Sequence, residues 1–154
     1  MKTFLRIPFL TLLAALLMLT SCSKKNDSPG SSGKKAKVTI TLSSTFSKAE
    51  GDYFNTTVTA NTSSGATVDW MVNGIRKTGT AITVGTDDFT GGNTLILESA
   101  SDFYTGLVKM GGFEMGATPY SVSYKVEVNG SVKDQGNETI VKNQDPVFTK
   151  DIQL

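Results

Sequence analysis

The chain has 154 residues, enough for one domain once a targeting segment is set aside, with 15 Lys or Arg against 14 Asp or Glu. It contains no histidine and one cysteine. That excludes imidazole general bases, Ser-His and Cys-His nucleophile pairs, intramolecular disulfides and thiolate zinc sites. The charges are unevenly spread: from Ala36 onward nine basic residues face thirteen acidic ones. A mildly acidic folded part on a basic stalk is not expected to bind nucleic acid.

Residues 1–21 read as a leader. Lys2 and Arg6 form a basic start, and Ile7 to Leu19 is an apolar run of thirteen residues. At about 1.5 Å per residue such a helix is ~20 Å long, short of the ~30 Å hydrocarbon core of a bilayer. The run therefore has the length of a signal peptide rather than of a membrane span. Next comes Leu19-Thr20-Ser21-Cys22, the only cysteine of the chain. This resembles the lipobox of bacterial lipoproteins, with an aliphatic residue three before the cysteine and a small one just before it. The resemblance implies cleavage before Cys22, a diacylglycerol thioether on its sulfur, usual acylation of its new amine, and a membrane partner held through that lipid. Two or three acyl chains anchor a protein stably where one does not. Ser23 stands where aspartate signals inner-membrane retention in the familiar sorting pattern, which directs the expectation to the outer membrane.

Residues 22–35 form the lipidated cysteine and a tether. "SKKNDSPGSSGKK" has no apolar side chain and is expected to be disordered. Its reach is roughly 20 Å as a coil and about 45 Å stretched. Lys24 and Lys25 lie where anionic headgroups are found, and equally serve solubility.

Residues 36–154 are expected to form one β domain. Val38, Ile40 and Leu42 alternate with polar residues, as do Phe54, Thr56, Val58 and Ala60. Val68, Trp70 and Val72 form another inward set, followed by Ile82 with Val84 and Leu95 with Leu97. The longest alternation is Tyr120, Val122, Tyr124, Val126 and Val128; Ile140, Phe148, Ile152 and Leu154 complete the series. Period-two alternation rich in Val, Ile, Thr and Tyr predicts strands with one buried face. Asn73-Gly74 and Asn129-Gly130 predict tight hairpins with positive φ at both central residues. About eight or nine strands predict an antiparallel, immunoglobulin-like β-sandwich. The stretch carrying Phe54, Val58, Trp70, Val72, Asn73, Gly74, Leu95 and Leu97 resembles immunoglobulin-like modules of the PKD type, which implies architecture and not function.

Chemistry is sparse. Asp87-Asp88 with Asn93 nearby offers hard oxygens, but without a regular calcium-loop spacing it reads as a solvated turn. Glu50 with Asp52, and Asp102 with Glu114, are acid pairs of a kind that any chain with thirteen acids in its folded part offers. "GTDDFTGG" precedes no helix, so it is no phosphate loop. Asn-x-Ser/Thr triplets at Asn55, Asn61, Asn129 and Asn137 reflect β composition. One stretch stands apart: residues 100–119 hold Phe103, Tyr104, Leu107, Met110, Phe113 and Met115 among four glycines. Phe103 to Met110 has room for a further strand, and alternation fails from Gly111. The stretch reads either as an apolar flap closing the sandwich or as a ligand-binding loop with Tyr104 and Phe113 as its contacts. The expected function is a cell-envelope lipoprotein that binds a glycan or a protein non-covalently, with no cofactor. The alternatives are a structural or accessory subunit and, further off, a small enzyme.

Overall fold

A computed structural model describes residues 33–154, so the leader, Cys22 and most of the tether lie outside the described residues. Ser31–Leu154 is a compact unit of its own. Ten strands form: β1 (Ala36–Leu42), β2 (Tyr53–Asn61), β3 (Trp70–Val72), β4 (Ile75–Lys77), β5 (Ile82–Val84), β6 (Thr94–Ser99), β7 (Thr105–Phe113), β8 (Tyr120–Val128), β9 (Ser131–Ile140) and β10 (Phe148–Gln153). They build an all-β, immunoglobulin-like antiparallel sandwich. One sheet runs β4-β3-β6-β1-β8-β9 and the other β10-β7-β2-β5.

The alternating residues supply the core as their phase requires. β1 is buried at every second position and pairs on both sides, with Ile40 opposite Leu95 of β6 and Tyr124 of β8. Trp70, Phe54, Val58, Val108, Tyr120 and Val122 are fully buried between the sheets. The edge of Phe89 meets Phe54 at 5.2 Å, and Phe46 meets Tyr120 in the same way at 5.1 Å. Such edge-on contacts suit the ring quadrupoles. Both hairpins form as predicted, with Asn73 and Gly74 at φ 48° and 80°, and Asn129 and Gly130 at φ 52° and 77°.

Three expectations change. The stretch from Phe103 to Met115 is mostly strand and not a binding loop: the strand for which Phe103 to Met110 has room forms as β7, and it runs on through Gly111 and Gly112, pairing with β2 and β10. Alternation continues, but its inward residue is Gly112, and a Cβ there would lie 2.5 Å from the Tyr120 hydroxyl. The apolar mass at that position comes from the other sheet. β4 brings the strand count to ten; its three residues are all exposed, so no alternation announces it. Finally, Lys34 and Lys35 belong to the domain and not to the tether. Lys34 exchanges backbone hydrogen bonds with Phe103, each 2.9 Å. The Lys35 backbone N–H donates to Asn129 Oδ1 at 2.7 Å.

Candidate functional site

The end of the sandwich where β7 finishes is built from three chain segments. Phe113 and Tyr53 stand directly opposite one another in the β7–β2 ladder and point outward. Their rings stack at 4.9 Å with planes 13° apart, and the two are 40% and 37% exposed. The Asn55 side-chain amide donates to the Tyr53 hydroxyl at 2.8 Å, which fixes that ring.

Glu114 has the opposite phase and turns inward. It is only 3% exposed, and its Oε1 has no hydrogen-bond partner. A buried acceptor without a donor is costly, more so when it carries charge. Its neighbours are already committed. Asp52, equally buried, accepts from the backbone N–H of Ser47 at 2.8 Å, Met115 at 3.2 Å and Gly116 at 3.3 Å. Glu50 Oε2 accepts from the Ala117 N–H at 3.1 Å. The Lys142 ammonium, from the β9–β10 connection, donates to the carbonyls of Met115 and Gly116 at 3.0 and 3.4 Å. A Cβ at position 116 would sit 2.5 Å from Glu50 Oε2, so a larger residue there would displace that carboxylate from the Ala117 N–H.

Between the β7–β8 and β9–β10 connections lies a cleft of about 210 Å³. Its walls are Phe113, Met115, Val141 and Val147, all substantially exposed, together with Asn143 and Gln144, and its most buried lining side chain, which forms the floor, is that of Glu114. Behind the floor stands Tyr120, whose hydroxyl donates to the Tyr53 carbonyl at 2.6 Å. Burial, helped by the charges of Asp52 and Glu114, pushes the Tyr120 phenol well above its ordinary 10.0. A phenol that holds its proton more tightly when folded lends stability below its unfolded pKa and loses it as pH rises. The domain is therefore expected to lose stability from about pH 10 upward. Chemical denaturation across that range should show a flatter profile for Tyr120→Phe, which is also weaker at neutral pH because the Tyr53 carbonyl loses its donor.

The two candidate contacts named from sequence do not meet. Both are exposed, Tyr104 at 63%, but they occupy opposite ends of β7. Nine steps of strand separate them by about 30 Å. Phe103 and Met110 belong to the core. Asp102 lies at the Tyr104 end, 3.6 Å from the Lys35 ammonium, so it forms no pair with Glu114. Asp87 pairs with Lys48, and Asp88 caps the Gly85 N–H at 2.9 Å. Among the described residues no three Asp, Glu, His or Cys side chains gather as a metal site would need. The sequence reading missed Tyr53, Val141 and Val147. Tyr53 sits one step out of the inward phase of β2, which was the available signal; the valines carry none, because the connection that brings them there is irregular.

The sandwich has solved relatives in shape. One is the NMR structure of the calcium-bound form of a protein from Parabacteroides distasonis, at 14% identity, TM-score 0.54, covering 82% of this chain and 98% of that one. Another is the crystal structure of a DUF4425 family protein from Bacteroides ovatus ATCC 8483, at 9% identity, TM-score 0.56, covering 79% and 94%. At such identities the likeness shows the fold alone. No protein-family model matches the chain, and no curated protein matches it in sequence.

Proposed function

We propose that this chain is a lipid-anchored protein of the bacterial cell envelope whose sandwich holds a partner protein non-covalently at the Phe113 end. The observation that carries the binding reading is the cleft itself. Four exposed apolar side chains line one concave site, and one of them, Phe113, stacks on Tyr53, where scattered single residues would be unremarkable. The mostly apolar walls favour a polypeptide over a glycan, whose hydroxyls need many polar partners. Strand donation to a neighbour, the structural-subunit alternative, is disfavoured at the long edge strand β9, which carries Lys133, Asp134 and Glu138. This end of the sandwich offers few free oxygens for a calcium ion such as the one named for the Parabacteroides relative. Asp52 and one Glu50 oxygen are occupied by backbone donors, and Lys142 holds the nearby carbonyls.

A photo-crosslinking residue in place of Phe113 tests the binding site in native envelopes. Adducts are expected there and not from the same residue at Tyr104; equal adducts from both would remove the site assignment. The anchor has its own test. Replacing Cys22 with Ala removes the attachment atom, so labelled palmitate should enter the unaltered protein and not the variant. Equal labelling of the two would end the lipoprotein reading.

A further inference from the structure

We propose that the cleft takes a lysine side chain presented by the partner polypeptide; this rests on the binding reading above and deepens it. The walls and the floor ask for different chemistry. Phe113, Met115, Val141 and Val147 offer an apolar passage, and the buried residue at its base is a carboxylate whose Oε1 has no donor. A side chain that satisfies both has an aliphatic stem and a compact cationic tip. Lysine has that form: four methylenes followed by an ammonium with three donors. Arginine ends in a broad planar fork that suits two open carboxylate oxygens on an accessible face, not a narrow floor.

The charge at this end points the same way. Glu114 and Asp52 are both buried beside Tyr120, and Glu50 lies on the neighbouring turn. Against these three carboxylates this end sets the Lys142 ammonium, which donates to the Met115 and Gly116 carbonyls and forms no ion pair with any of the three. Lys48 is turned to Asp87. The site thus holds more negative charge than its own cations offset, in surroundings where an incoming ammonium is screened less than at an open surface.

The test uses the compact unit Ser31–Leu154 and three blocked amino acids: the N-acetyl amides of lysine, norleucine and arginine. Backbone amide NMR shifts report where each binds. The lysine compound is expected to give saturable shifts at Phe113, Met115 and Val141. Norleucine, which has the stem without the charge, should bind at least about tenfold more weakly, a difference near 1.4 kcal/mol. In Glu114→Gln, which keeps the shape of the floor, the two should bind alike. Norleucine binding as well as lysine to the unaltered protein would overturn the lysine proposal and leave the apolar binding site standing. Arginine binding as tightly as lysine, or calcium chloride producing the same shifts where lysine produces none, would also overturn it. If no compound shifts these residues and Phe113 crosslinks nothing, the binding reading falls as well.

Discussion

Replacing Trp70 with alanine should lower the unfolding free energy by about 3 to 5 kcal/mol. Trp70 is the sole tryptophan, is 1% exposed, and fills the space between the sheets in register with Ser99 of β6. Removing the indole leaves a cavity that β3 cannot close, because three residues of strand are held between β4 and β6. A domain of this size is stable by ~5 to 15 kcal/mol, so the variant should sit near the edge of folding at 37 °C. Urea denaturation followed by circular dichroism measures the loss. Trp70→Phe should cost clearly less, since the indole N–H has no acceptor to lose. In the unaltered protein the fluorescence should be blue-shifted and resistant to acrylamide. Emission like that of free indole in water would mean that β3 is in the wrong phase.

The second large effect is expected from a single methyl group. Gly112→Ala places a Cβ 2.5 Å from the Tyr120 hydroxyl and 3.0 Å from the Tyr53 carbonyl, the two atoms joined by the 2.6 Å hydrogen bond. The ring cannot retreat, because the edge of Phe46 is packed against it at 5.1 Å. Overpacking typically costs 1 to 3 kcal/mol and a buried acceptor without its donor about as much, so a loss of roughly 2 to 4 kcal/mol is expected. Combining Gly112→Ala with Tyr120→Phe removes the clashing oxygen. The double variant should be less destabilised than the sum of the two singles, by an amount a double-mutant cycle reads directly. Strict additivity would show that the glycine is not there to admit Tyr120.

The same glycine explains where the sequence could be read and where it could not. Alternation identifies β1, β2 and β8 because their inward residues are apolar and face a second layer. In β7 the inward residues Val108 and Met110 are followed by Gly112, and the side chain that fills the space at Gly112 lies eight residues on, in the other sheet. Periodicity records what a residue brings and not what its neighbour brings, so β7 was legible as a strand only as far as Met110. β9 is hidden for a related reason. Glu138 is in register with buried Val122 but is itself exposed, because β9 is the edge of the wider sheet. The candidate site was half legible. Phe113 stood out as an apolar residue among small ones. Its stacking partner Tyr53 is sixty residues away and is found only once the β2–β7 register is known.

The place where the chain enters the sandwich has a mechanical consequence. Lys34 is tied to Phe103, at the Tyr104 end of β7, while the cleft lies about 30 Å away at the other end. A protein held by its N-terminal side and by an occupant of the cleft would be loaded along the direction of β7. The pull reaches β1 first. That strand is flanked by antiparallel ladders on both sides, five residue pairs with β6 and seven with β8. Force directed along β1 strains these ladders in shear, so their hydrogen bonds share the load instead of opening one after another. The strand next to the point of attachment is thus the one best placed to bear tension.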